Sequence, residues 1–173
     1  MELYERLAGR LHEWDLRELC VRISGNSLQR EALYEAFFVP DNRVGGNALW
    51  VFTHLPAEDR RWLAERRDAL IDRVLIETDT TRRRLLLTLL ERMTYRAEDL
   101  RGDFVDFCLR EICRPDETVG VRSLCMKLAY AQCRHYPELC AELSTALEML
   151  DDLPLSPAVT CARRRILRQM ADR

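Results

Sequence analysis

Apolar residues recur along this chain three and four positions apart, as at Leu63, Leu70 and Val74 and again at Leu139, Leu143, Ala146, Leu147 and Leu150. That spacing gives each segment one buried stripe, the signature of an amphipathic helix. Three segments, Pro56-Ala57-Glu58-Asp59, Arg96-Ala97-Glu98-Asp99 and Tyr136-Pro137-Glu138-Leu139, begin 40 residues apart in succession, and each opens such a pattern. The stretches before them carry Ala48-Leu49-Trp50-Val51-Phe52, Leu85-Leu86-Leu87-Thr88-Leu89-Leu90 and Leu124 to Ala129, and a fourth, Cys161 to Leu167, follows near the end. Pairing them predicts a helix A at about 44–54, 81–93, 118–135 and 157–171, and a helix B near 57–77, 98–114 and 137–151. The A helices are apolar over more of their circumference, as expected when a helix pair packs on neighbours at both sides.

The punctuation agrees. Pro56, Pro137 and Pro157 fall at first-turn positions where a missing N–H costs little, Ser156 can cap the last helix, and Asp79-Thr80 and Asp116-Glu117-Thr118 supply similar starts. Residues 1–39 fit the period less well: Leu3, Leu7 and Leu11 mark one helix, Leu16 to Ile23 a second, and Leu28 to Phe38 a third after Gly25-Asn26-Ser27. The expected organisation is a single domain with irregular capping helices at 1–39, helix pairs at 40–79, 80–116 and 117–155, and a capping helix at 156–173.

A fixed period near 40 residues with two helices per period resembles HEAT-type repeats, and Val121-Arg122 looks like that family's recurrent dipeptide. The resemblance implies an all-α, HEAT-like α-α superhelix, a solenoid of about four antiparallel helix pairs. The proline often found inside helix A in that family is missing from all four copies here. A closer likeness is to short helical-repeat proteins, some of which go by the name adenylosuccinate lyase. It is carried by Asn47 to Phe52, Val121 to Tyr130, Tyr136-Pro137-Glu138-Leu139 and Ser156-Pro157-Ala158 leading to Ala162-Arg163. The lyase loop pattern Ser-Ser-x-Met-Pro-x-Lys-x-Asn is not in this sequence, so the likeness implies the repeat and not that reaction.

Composition narrows the class. The chain has 173 residues, 47% apolar and 32% charged, with a formal net charge of −2. A chain of this length buries roughly 70% of its unfolded surface and needs no disulfide or metal to fold. The longest uncharged run, Val44 to Ala57, is too short to span a bilayer, and the first residues, Met-Glu-Leu-Tyr-Glu-Arg, have no apolar core of a secretory signal. A cytoplasmic location is the default. The seven cysteines are odd in number and lack Cys-x-x-Cys spacing, which fits buried thiols in a reducing compartment.

Candidate chemistry is sparse. Gly45-Gly46-Asn47 stands near a predicted helix start, where free N–H groups can hold an anion; the alternative is close approach of two helices. Cys133, His135 and Cys140 lie around one corner and could offer soft metal ligands, with His12 or Cys125 as a remote fourth, but their spacing matches no zinc pattern. Cys133 and His135 are also the nearest thiol–imidazole pair in sequence. Glu58-Asp59 and Glu98-Asp99 are paired carboxylates of the kind acid–base chemistry uses, yet acids in a first turn also offset the helix dipole. The expectation is therefore no catalytic residue, no metal and no cofactor.

Charge is more informative. The A segments sum to +10 and the B segments to −7, with −5 on residues 136–152 alone. In HEAT-like solenoids the B helices usually line the concave side. A groove of that sign would repel DNA, which disfavours the alternative of a DNA-binding or alkylpurine glycosylase-like lesion-repair enzyme. The expected function is a non-enzymatic protein-interaction scaffold, whose partner's cationic groups meet Asp103, Asp106, Glu138 and Glu142. A secondary anion contact is expected at Arg82, Arg83, Arg84, Arg163, Arg164, Arg165 and Arg168, and apolar side chains at the solenoid ends provide for self-association. Neither nucleic acid nor membrane is the expected partner.

Overall fold

The computed structural model describes residues 2–150 and 154–172, and these are helical with no strand among them. Their α-helices are α1 (Glu2–Ala8), α2 (Glu13–Ile23), α3 (Ser27–Glu35), α4 (Asn42–His54), α5 (Ala57–Arg61), α6 (Arg67–Ile76), α7 (Thr80–Glu91), α8 (Gly102–Cys113), α9 (Val119–Cys133), α10 (Pro137–Glu148) and α11 (Pro157–Ala171). The chain divides into two compact units, one up to Leu90 and one from Glu91.

Helix starts follow local chemistry. Asp41 accepts from the N–H groups of Arg43 and Val44 at 2.8 and 3.1 Å to open α4, Asp79 accepts from Arg82 N at 2.8 Å to open α7, and Thr118 and Ser156 cap α9 and α11. Pro137 and Pro157 occupy first-turn positions, where no hydrogen bond is lost. Between α2 and α3 the chain reverses at Gly25, whose φ of +70° is costly for any residue with a Cβ. Asn26 then caps α3 by accepting from Gln29 N at 3.1 Å.

In the amino-terminal unit α4 is central, packed against α1, α2 and α3 and burying Ala48, Leu49, Val51 and Phe52. In the carboxy-terminal unit α9 has that place, with α8, α10 and α11 around it. It buries Val121, Cys125, Met126, Leu128, Ala129 and Cys133, whereas α10 buries only Leu143 and Leu147 within its span. The predicted contrast between broad A stripes and narrow B stripes separates α9 from α10 but does not hold throughout: α8, a B helix, buries Phe104, Val105, Phe107, Cys108, Glu111 and Ile112, whereas α11, an A helix at the edge of its unit, buries Val159, Arg163 and Ile166.

Two predicted B helices are interrupted. The span expected at 57–77 is α5, a 3₁₀ turn over Trp62–Arg66, and α6. The tighter turn coincides with an aromatic cluster: Trp62 meets Tyr34 edge-on at 5.5 Å, and the Arg66 guanidinium lies 3.5 Å from the Trp62 ring centre. The span expected at 98–114 is a 3₁₀ turn at Ala97–Asp99 followed by α8. Arg101 N there donates to the buried side chain of Gln132 at 3.0 Å, and Asp99 closes its own turn on Arg96 N at 2.8 Å. The helix near 137–151 runs to Glu148, and the last residue of that expectation lies outside the described residues.

Candidate functional site

Charged residues divide into those the fold consumes and those it leaves on the surface. Arg82, on the first turn of α7, is 1% exposed. Its guanidinium donates to Phe37 O at 2.6 Å, Val39 O at 3.2 Å and Asn42 Oδ1 at 3.0 Å, and its Nε lies 3.0 Å from Glu77 Oε2. Burial lowers the affinity of this guanidinium for its proton, and the Glu77 carboxylate opposes that effect. Arg122 on α9 donates through Nε to Ile112 O at 3.0 Å, and Arg163 on α11 donates to Leu147 O. The latter two satisfy carbonyls in the last turns of α8 and α10, which have no intrahelical partner.

The expectation that Arg82 and Arg163 belong to exposed basic clusters is therefore corrected. Both side chains are drawn inward because a buried helix end needs donors, and Arg is the donor with the reach and geometry to supply them. Arg83 is half-buried and donates to Glu77 O at 2.6 Å. Arg84, Arg164, Arg165 and Arg168 remain exposed.

The glycine pair has a structural use. Gly45 and Gly46 lie inside α4, beyond the N–H groups that Asp41 already satisfies, so no vacant anion cradle forms there. A Cβ on Gly45 would stand 2.9 Å from Arg82 Cζ, which identifies the residue as the gap through which α7 reaches inward. Asn47 donates to Leu7 O and Gly9 O at 2.8 and 3.0 Å and ties α1 to α4.

The other candidates separate in space. Asp59 is buried against Arg30 at 2.9 Å and the Gly25 N–H, while its neighbour Glu58 is exposed and pairs with Arg61. Asp99 and Glu98 both lie against Arg96. Cys133 is fully buried, Cys140 Sγ donates to Cys133 O at 3.2 Å, and the exposed His135 ring faces Tyr95 O at 3.2 Å, away from any thiol bond. Cys125 is in the core of the same unit and His12 is in the other unit. Among the described residues no group of three or more His, Cys, Asp or Glu stands together as a metal set. Burial pushes the Cys133 thiol up to about 12, and it raises Cys108, beside Cys125, well above the ordinary thiol range.

Part of the surface of the carboxy-terminal unit is acidic, beside the exposed Arg164, Arg165 and Arg168. Helices α8 and α10 pack against each other, and Asp103 and Asp106 on the first, with Glu138 and Glu142 on the second, are exposed. Asp103 pairs with Arg101 at 2.7 Å, and that guanidinium holds its carboxyl below the usual range. Beside this surface, α9, α10 and α11 enclose an open groove of about 740 Å³ floored by Ala141, Leu167 and Met170. Arg134 and His135 border one end of α10 and Glu148 lies at the other.

Of the inward arginines, the sequence marks Arg122 alone by a local motif, the Val121-Arg122 dipeptide. Their positions, 82, 122 and 163, keep nearly the 40-residue period of the helix starts, and that period is the signal that separates them from their surface neighbours. The approach of Arg30 and Arg66 to the Trp62 ring has no comparable mark in the sequence.

A family model described as a HEAT repeat domain matches residues 3–170. No curated protein and no solved structure matches the chain.

Proposed function

Since the chain belongs to the HEAT repeat domain family, we propose that it is a non-enzymatic interaction scaffold that receives a basic segment of a partner protein on the exposed acidic sides of α8 and α10. Helical-repeat domains of this family serve as surfaces for protein contacts, and stacked pairs with one polar outer side suit that role. The observation that carries the choice of surface is the state of its carboxylates. Asp106, Glu138 and Glu142 are exposed and have no basic partner among the described residues, whereas buried Asp59 and Glu77 are fully engaged in holding the fold. We divide the chain for this purpose into caps at 1–39 and 156–173 around helix pairs at 40–79, 80–116 and 117–155. We place it in the cytoplasm, where its free thiols suit a reducing milieu.

Titration calorimetry with an oligoarginine peptide of ten residues tests the surface. Exposed ion pairs contribute about 0.2–1 kcal/mol each. Replacing Asp106, Glu138 and Glu142 together by Asn, Gln and Gln is therefore expected to weaken binding about tenfold. Undiminished affinity of the triple variant for this peptide at low salt would sink the assignment.

A further inference from the structure

Each helix at the carboxy-terminal end of the chain packs on the two before it. Helix α10 lies on α8 and α9, and α11 lies on α9 and α10. One step further along the same series, a helix would lie on α10 and α11, and that place is the open groove floored by Ala141, Leu167 and Met170. It is an apolar seat that runs beside α10, whose twelve residues span about 18 Å. Its ends differ in charge, with Arg134 and His135 at the start of α10 and Glu148 at its finish.

The amino-terminal unit presents a helix of matching character. On α2, Trp14 is 65% exposed and Val21 is 81% exposed. Seven residues apart, they lie on one outward side of the helix about 10 Å from each other, unlike the inward Leu16, Leu19 and Ile23. Glu13 opens this helix and Arg22 closes it. In the free chain these two charges hold only exposed contacts, Glu13 to Arg17 and Arg22 to Glu2, which are cheap to share or exchange.

We infer that the seat on α10 and α11 takes α2 of a second copy of this chain. Laid parallel to α10, α2 covers the apolar floor with Trp14 and Val21, brings Glu13 to Arg134 and His135, and brings Arg22 to Glu148. The opposite direction would set Arg22 against Arg134, so the charges select the parallel arrangement. Giver and receiver are different surfaces, which makes the contact heterologous, of the kind that builds closed rings or open chains.

Light scattering or sedimentation of the full chain reads this directly. A single helix in a groove is a small contact and gives weak association, so the concentrations of interest run from about 5 to 500 µM. The average mass is expected to climb with concentration above the 20.4 kDa of one chain. Trp14→Asp spoils the helix and Ala141→Glu spoils the seat; both positions are exposed, and unchanged circular-dichroism melts verify that the variants fold. Each variant alone is expected to remain monomeric. Mixed in equal amounts they retain one intact helix and one intact seat between them, and the expected product is a dimer and nothing larger. Three results would overturn the assignment: a wild-type chain that is monomeric throughout, single variants that associate as the wild type does, or a mixture that stays monomeric. None of the three bears on the acidic sides of α8 and α10.

Discussion

At the scale of single residues, the chain spends several of its charges and one glycine of α4, Gly45, on one junction. Arg82 turns into the core of the amino-terminal unit to satisfy backbone carbonyls, and Gly45 leaves the room for it. Gly45→Ala is expected to destabilise the protein by about 1–3 kcal/mol, because the added methyl meets a guanidinium already fixed by its bonds. Gly46→Ala meets only Arg82 Cγ at 3.9 Å, an ordinary contact. There the better helix former is expected to gain about 0.5–1 kcal/mol. Urea denaturation of the two variants beside the wild type checks the opposite signs. The thiols give a second residue-scale expectation. Cys113 and Cys161 are exposed and should react with a thiol reagent at pH 8 in the native protein, while Cys108, Cys125 and Cys133 should react only on unfolding. Burial raises Cys133 from 9.0 to about 12, so the native state holds a proton that the unfolded chain releases between those values. This contribution is complete below pH 9 and lost as the pH rises towards 12, so denaturation midpoints should fall over that alkaline range.

At the scale of elements, starts were legible and interruptions were not. Asp79, Thr118 and Ser156 cap where the sequence points, since a cap is a contact between residues two or three apart and needs no tertiary partner. Asn26→Ala removes the cap of α3 and is expected to cost about 1 kcal/mol, measured as a drop in thermal midpoint with little change in helical ellipticity. The breaks at Trp62–Arg66 and before Gly102 have a different origin. They coincide with contacts to Tyr34, Phe52 and Gln132, residues ten or more positions away, and local periodicity carries no trace of those contacts. The paired acids at 58–59 and 98–99 show the same limit, because burial of Asp59 against Arg30 depends on where the turn at Gly25 falls.

At the scale of the molecule, the balance of charge excludes more than it assigns. With a net charge of −2 and with Arg82 and Arg163 turned inward, the chain is not expected to bind duplex DNA through phosphate neutralisation. Electrophoretic mobility shifts with a duplex of about 30 base pairs at 20 mM salt are expected to show no complex at micromolar protein; a strong, salt-sensitive shift would instead support a lesion-repair role. No described helix is long and apolar enough to cross a membrane. Of the expected surface residues, the four acids lie exposed on two helices that touch, and the basic set is reduced to Arg84, Arg164, Arg165 and Arg168.

The sequence by itself determined the all-helical class, the main helix starts and the 40-residue period, because hydrophobic spacing and capping are properties of neighbouring residues. Tertiary structure alone decided which arginines are donors inside the fold, which thiols are sealed, and where an apolar groove is left uncovered. Those outcomes depend on the burial of one helix by another. Burial is a property of the packed pair, which the periodicity of either helix does not contain.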